Sequence, residues 1–370
     1  MSNIMSVLFA SENESKLNEL TIHRTAASLP FCGRYRLLDF VLSNLVNSGI
    51  TTIGIIARSN YNSLMDHIRM GRDWDLNRKN SGIAVFPPFV TNNARDIYKS
   101  KIDALYSMSD YISRAKEEYI IITNGNIAYN FDYELLFDEH IAKKADITML
   151  TYRSAATARR VLPVVGKNGR VTEFLFGVTA PSGEIADVAM NVYLMKKSLL
   201  LSLIEGAYSR GQLDFEKDIL LSKVAELKIF AYDVKGYVAL IDDIKSYYYA
   251  SMKLLEKKAR DELFDSYGNI YTKVKDSVPT AYGDKATVKN SLIADGCRIN
   301  GYVENSILFR GVNIDEGARV VNSIIMENGQ IMSGSHMSYV ITDKNVVIRE
   351  KRNISGFETY PIVIVKDKIV

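Results

Sequence analysis

The sequence predicts an α/β protein in two parts, a doubly wound and mostly parallel sheet domain followed by a parallel β-helix. Two observations carry this. Short unbroken apolar runs, Val7-Leu8-Phe9-Ala10, Thr52-Ile53-Gly54-Ile55-Ile56-Ala57 and Tyr119-Ile120-Ile121-Ile122, alternate with segments of helical apolar spacing. Such runs suit strands covered on both faces, and strand–helix alternation builds a parallel sheet. From Ala286 the rhythm changes: Leu308, Ile314, Val320, Met326 and Met332 recur every six residues, Val312, Ala318 and Ile324 form a second register, and Gly311, Gly317 and Gly329 a third. A six-residue period predicts three short faces per coil of about eighteen residues, with each apolar register stacked into an internal ladder. The period leaves the handedness open.

The elements follow in order. The opening strand runs into the polar loop Ser11-Glu12-Asn13-Glu14-Ser15-Lys16-Leu17, and 41–50 reads as a helix closed by Gly49. A short helix is expected over 60–68, and a strand over 83–86 stopped by Pro87-Pro88. Helical spacing covers 103–113, and further strands are expected at 147–152, 161–165, 171–174 and 189–195. Helices are expected at 199–208, 215–225 and 242–258, the last carrying Tyr247-Tyr248-Tyr249, which reads as packing surface. The resulting division is 1–245 for the sheet domain, 246–285 for a helix and linker, and 286–370 for the β-helix.

Composition narrows the function. At 370 residues with 47% hydrophobic and 24% charged content, the chain has room for an ample core. A net charge of +3 gives no electrostatic case for nucleic acid. Cys32 and Cys297 fall in different predicted domains, so a disulfide framework is not expected and a reducing cytoplasm fits. No apolar run approaches the roughly 20 residues that cross a bilayer. Ser11, Glu12 and Glu14 interrupt what an export signal would continue.

The loop after the first strand of a parallel sheet is where phosphates usually bind, and a phosphate cradle needs glycine so that backbone N–H groups can curl around the anion. This loop has no glycine and two carboxylates, Glu12 and Glu14. A triphosphate would meet negative charge where it needs donors.

The segments PFCGRYRLLDFVLSNLVNSGI (30–50), DHIRMGRDWDLNR (66–78) and FPPF (86–89) closely resemble the bacterial glucose-1-phosphate adenylyltransferases, and weaker similarity continues into the repeats. The resemblance implies a Rossmann-like nucleotidyltransferase domain and a left-handed β-helix serving regulation and oligomer contacts. It also implies a chemistry, ATP and glucose 1-phosphate giving ADP-glucose with Mg²⁺, whose parts can be checked position by position. The family's Gly-Gly-x-Gly-x-Arg-Leu falls on Ser11 to Leu17, keeping a basic residue at Lys16, and a family lysine falls on Ala26. The metal-binding aspartates fall on Asn126 and Leu240, with Asp242 and Asp243 nearby as displaced carboxylates. The sugar-phosphate motif Glu-Glu-Lys-Pro becomes Leu175-Phe176-Gly177-Val178, and Gly-Thr-Ala-Asp-Ala becomes Ser100-Lys101-Ile102-Asp103-Ala104. Phe-Gly-Lys-Asp-Ile becomes Phe215-Glu216-Lys217-Asp218-Ile219, keeping Lys217 and Asp218.

By this resemblance Ser11, Glu12, Glu14, Asn126, Phe176, Gly177 and Leu240 are degenerate site positions, no metal ligand or catalytic residue is expected, and Lys16, Asp103, Lys217 and Asp218 are the candidates for residual ligand contact. For Lys217, a solvated lysine beside a helix start is the competing reading. The pattern is that of the GlgD-type subunits, which accompany a catalytic GlgC-type subunit. That implies a heterotetramer, or a homo-oligomer alone, in glycogen synthesis, with no cofactor needed by this chain and Mg²⁺ used by the partner. Nucleic acid and membrane are not expected as partners. Arg34, Arg36, Arg69, Arg72 and Arg78 are candidates for an anionic effector or the partner, the alternative being surface ion pairs with Asp66, Asp73 and Asp75. Three rival readings remain: a slow adenylyltransferase, a sugar-phosphate or nucleotide sensor without turnover, and an acyltransferase using His336 within the repeats.

Overall fold

The structure, a computed structural model, describes residues 3–12, 14–58, 60–78, 81–87, 98, 100–155, 160–178 and 185–370. Asn13 of the glycine-free loop and Pro88-Phe89 of the FPPF segment lie outside the described residues.

The first domain is built on a seven-stranded sheet in the spatial order Ile229–Asp233, Ile147–Ala155, Ile185–Lys196, Tyr119–Asn124, Ile4–Phe9, Thr52–Ile56, Gly82–Phe86. Every neighbouring pair is parallel except those made by Ile185–Lys196, which runs antiparallel to both its neighbours. The apolar run of Ile4–Phe9 alternates its burial between two cores: Ile4 and Leu8 pack on one face of the sheet, and Met5, Val7 and Phe9 on the other. The chain begins at this central strand, builds outward to Gly82–Phe86, and then returns to Tyr119–Asn124 on the opposite side. That reversal is the switch point at which α/β sheets bind ligands, outside the carboxyl ends of the strands.

Four helix expectations need correction. The first long helix is Leu37–Asn47, because Asp39 accepts from the Arg36 backbone N–H at 2.9 Å and starts it early. The segment expected as one helix over 103–113 is two, Lys101–Ser107 and Ser109–Arg114. The expected helix over 242–258 is Ile244–Lys253 followed by Lys257–Phe264. Arg260 donates to the carbonyls of Leu254 and Leu255 at 2.8 Å each, satisfying the acceptors exposed at the break. The segment 215–225 is regular only over Phe215–Leu221, with π-helical geometry.

The C-terminal domain is a left-handed parallel β-helix with three five-stranded faces. Its coil is shorter than the eighteen residues that a strict six-residue period predicts. Val288 pairs with Val303, 15 residues on, and then Val303 with Val320 and Val320 with Met337, each 17 on. One corner is cut short: Asn290, Asn305 and Asn322 turn there at φ of 41°, 45° and 47°. The following serines brace it. Ser323 donates to the Val321 carbonyl at 2.7 Å and accepts from Val340 N–H at 3.1 Å, and Ser306 repeats both bonds. The shortened corner moves the inner ladder off the six-residue register. It continues through Ile325, Ile331 and Met337, while Met326 and Ile324 leave it for a different core.

That different core joins the domains. Ile307, Ile324, Ile341 and Phe309 of the β-helix bury against Leu29, Phe31, Leu37, Phe40, Tyr247 and Leu263. Tyr248 donates to Asn322 O at 2.7 Å and Tyr247 to Pro30 O at 2.8 Å, so part of the tyrosine run packs as expected and each hydroxyl is satisfied. Arg24 and Asp343, 3% and 1% exposed, pair at 2.7 Å inside the junction.

Candidate functional site

The carboxyl end of Ile4–Phe9 delivers Ser11 and Glu12 to the switch point. The Ser11 hydroxyl oxygen accepts from Arg58 N–H at 3.0 Å, so this side chain ties the loop to the neighbouring strand's end. Lys16 is exposed on the short helix Glu14–Leu17, and Ala26 is fully buried.

Beside this loop, the turn Asn124-Gly125-Asn126 ends the next strand. It lies so close to the segment Ala26–Ser28 that a Cβ on Gly125 would stand 2.6 Å from Ala27 Cβ. Asn126 donates through Nδ2 to Ile241 O at 2.7 Å, and Ile241 N–H returns a bond to Asn126 O at 2.9 Å. Leu240, 4% exposed, pairs with Ile127 in a two-stranded ladder. The structure therefore sets Asn126 and Leu240 side by side at the carboxyl end of the sheet. One offers a neutral amide whose Oδ1 has no hydrogen-bond partner among the described residues, the other only methyl groups.

The displaced carboxylates are engaged elsewhere. Asp242 pairs with Arg160 Nε at 3.1 Å, and burial raises its carboxyl above the ordinary value despite that guanidinium. Arg160 also donates to the Tyr152 hydroxyl. Asp243 caps the helix Ile244–Lys253, accepting from Ser246 N–H at 2.8 Å. Among the described residues no group of three or more His, Cys, Asp or Glu side chains could hold a metal ion. A neutral amide, a leucine and an arginine-bound carboxylate do not fit Mg²⁺, which binds through charged oxygen donors.

On the far side of the loop lies an ion pair that motif reading did not find. Lys101 Nζ meets Glu216 Oε1 at 2.9 Å, with side-chain exposures of 15% and 11%. The Tyr193 hydroxyl reaches the same carboxylate oxygen at 3.4 Å, and the ammonium lies 5.8 Å from the Phe9 ring centre. Burial works against the charged ammonium, but Glu216, with Glu12 and Asp214 adding, outweighs it and holds Lys101 protonated above its ordinary range. The available signal was that both charges replace small residues of the resembled motifs.

The remaining candidates separate. Lys217 is exposed, with its ammonium 5.4 Å from the Phe176 ring centre, so the kept lysine lies over one of the substituted positions. Gly177, at φ 70°, has open space around it. Asp218 accepts from the N–H groups of Leu213 and Asp214 at 2.9 Å each, bracing the turn before Phe215–Leu221. Asp103 sits in the first turn of Lys101–Ser107, where its N–H donates to Ser100 Oγ at 3.1 Å.

The five arginines do not form one patch with a single role. Arg36 donates to Ser63 O at 2.7 Å, and burial lowers its pKa near Glu327. Arg34 stacks 5.5 Å from the Tyr35 ring centre. Arg78 pairs with Asp75, while Asp66 pairs with Lys273 at 3.3 Å. Arg69 and Arg72 are exposed. His336 is exposed on an outer β-helix face, in register with Arg319 and Asn353.

A mostly parallel sheet with its loops gathered at a switch point, followed by a hexapeptide β-helix, defines a nucleotidyltransferase-type protein. The nucleotidyl transferase family model matches residues 6–257, and the model for the GlmU-like C-terminal hexapeptide region matches 276–359. Over 365 residues the chain is 33% identical to the glycogen biosynthesis protein GlgD of Bacillus subtilis (strain 168), covering 99% of this chain and 96% of that one. It is 31% identical to the glucose-1-phosphate adenylyltransferase of Bacillus mycoides (strain KBAB4), covering 95% and 96% of the two chains. It is 34% identical to the corresponding protein of Desulforamulus reducens, covering 96% and 86%. The chain belongs to the glucose-1-phosphate adenylyltransferase family, whose GlgD-type members it resembles, and this places it in glycogen biosynthesis. No helix among the described residues is long and apolar enough to cross a membrane.

Proposed function

We propose that this chain is a regulatory, catalytically impaired subunit that works by assembling with a catalytic GlgC-type adenylyltransferase. The observation that carries the reading is what stands at the switch point: Asn126 bonded to Ile241 O, and next to it Leu240 paired with Ile127. Transfer of an adenylyl group between two phosphate-bearing substrates concentrates negative charge that a metal and basic groups must neutralise. Where the metal's carboxylates would stand there is an amide and a leucine, and Asp242 is neutralised by Arg160. Lys101 is likewise matched by Glu216 and offers no net charge to a phosphate. Each lost electrostatic contact typically costs about 3–4 kcal/mol in the transition state, so several together leave little turnover.

A subunit without turnover can still change its partner's, provided its contacts differ between the partner's more and less active states. In this reading Mg²⁺ serves the catalytic chain, and the shared fold supplies an interface like the one the catalytic chain makes with itself, in a heterotetramer. The test is ADP-glucose synthesis with Mg²⁺ by this chain, by a GlgC-type chain of the same cell, and by the two mixed at several ratios. The chain alone is expected to be silent, and the mixture to differ from the partner alone in rate or effector response. Substantial turnover by the isolated chain would overturn the reading, as would a mixture identical to its catalytic component.

A further inference from the structure

Three segments far apart in the sequence, 100–104, 175–178 and 215–219, meet over the end of the central strand. Lys101 Nζ, from the first, lies 5.8 Å from the ring centre of Phe9, the last residue of Ile4–Phe9. It donates to Glu216 Oε1, from the third, at 2.9 Å. The next residue, Lys217, stands 5.4 Å from the ring centre of Phe176, in the second. Tyr193 completes the wall, its hydroxyl reaching Glu216 Oε1 at 3.4 Å and Asn191 Oδ1 at 3.3 Å. In an open α/β sheet this is the place that a ligand takes, outside the carboxyl ends of the strands at the switch point. Here it is closed to water. Phe9 is 3% exposed, Ser100 7% and Glu216 8%.

The chain itself supplies both halves of the closure. The ammonium and the carboxylate satisfy each other, so a ligand that entered would have to part them and strand two charges out of water. Both side chains are long, and each stands where the resembled motif has a small residue, threonine at 101 and glycine at 216. Taking both away leaves a space over Phe9 and Tyr193. Two carboxylates border it: Glu12, three residues beyond Phe9, and Asp214, held beside Glu216 by accepting from Lys217 N–H at 2.9 Å. Both also favour the charged form of Lys101. The exposed ammonium of Lys217 stands at the edge. That lining sets a ligand class. Carboxylates accept from sugar hydroxyls and repel a triphosphate, and a single ammonium at the rim suits a single phosphate.

We propose that Lys101 and Glu216 are a built-in plug, two side chains that fill a sugar-monophosphate pocket at the switch point and keep that ligand out of the chain. The inference rests on reading the crevice as a degenerate site, but it concerns binding, where that reading concerns turnover. It is tested by titrating glucose 1-phosphate calorimetrically into the full chain and three charge-balanced double variants. Lys101→Thr/Glu216→Gly opens the space, and Lys101→Ala/Glu216→Ala opens it with residues better suited to helix starts. Lys101→Met/Glu216→Leu removes the charges but keeps the space filled. Melting temperatures without ligand check that each is folded. The wild type and the filled variant are expected to show no saturable binding, and the opened variants to bind about 10-fold or more tightly than either. The opened variants should still form no ADP-glucose, since Asn126 and Leu240 are unchanged; turnover by them would overturn the degenerate-site reading and leave the plug standing. Saturable binding by the wild type overturns the plug, as do opened variants that stay silent. So does a filled variant that binds as tightly as the opened ones, or an opened variant that takes ATP in preference to glucose 1-phosphate.

Discussion

Lys101 and Glu216 set the character of the site at the residue scale. Their charges lie 2.9 Å apart and largely out of water, so each is tolerable only because the other is present. Lys101→Met is expected to strand the Glu216 carboxylate and cost about 3–5 kcal/mol, whereas Lys101→Met with Glu216→Leu should recover most of that loss. Urea denaturation of the three proteins measures both quantities, and a double variant as unstable as the single one would mean that the pair is not the unit of stability. The sequence shows where Lys101 stands in the motif. It does not show the partner, because a contact spanning 115 residues leaves no local pattern. Asn126 and Leu240 were legible as lost carboxylates, since each stands within a recognisable motif. Arg160 was not, although it neutralises the displaced Asp242.

At the scale of elements, periodicity identified strands and coils but not the corners that set their length. The β-helix was readable from its six-residue rhythm, yet the coil is 17 residues over most of its course because an asparagine in left-handed conformation and a bracing serine cut one corner. The repeated Asn-Ser at 290–291, 305–306 and 322–323 carried that information. A buried histidine makes another element junction testable. His140, on the helix Tyr133–Ala142, is 2% exposed and bonds Thr148 Oγ1 of the strand Ile147–Ala155 at 2.8 Å. Burial lowers its pKa to about 4, Asp146 opposing and Lys196 adding. The unfolded chain takes up that proton near pH 6.5, so His140's stabilisation is complete above that value and is lost as pH falls towards 4. Between pH 7 and 5 this one group should remove about 2 kcal/mol. The wild type should therefore lose more stability over that interval than His140→Gln, and parallel pH profiles would exclude the assignment.

For the whole molecule, the two folds were legible separately and their union was not, because a junction is made by outward-facing residues that repeat patterns treat as surface. Ile307, Ile324 and Ile341 stack on the outside of the coil, where the alternation within each strand predicts solvent, and instead bury against Phe31, Phe40 and Tyr247. Arg24 and Asp343 close the junction from positions 319 residues apart. Arg24 also donates to Leu20 O at 2.9 Å, so losing Asp343 would leave a buried guanidinium with its backbone partner but no countercharge. Asp343→Ala is expected to destabilise by about 3–5 kcal/mol, as breaking a buried pair does. The consequence for cooperativity is sharper than the magnitude. A β-helix unfolding alone would uncover the apolar side of the first domain together with its own outer isoleucines, so neither domain has a stable surface without the other. Calorimetry of the wild type should show one transition, and Asp343→Ala should shift that single transition downward without splitting it. Two transitions, with only the one belonging to the β-helix moved by Asp343→Ala, would mean that the junction is a contact between independent domains and not part of a common core.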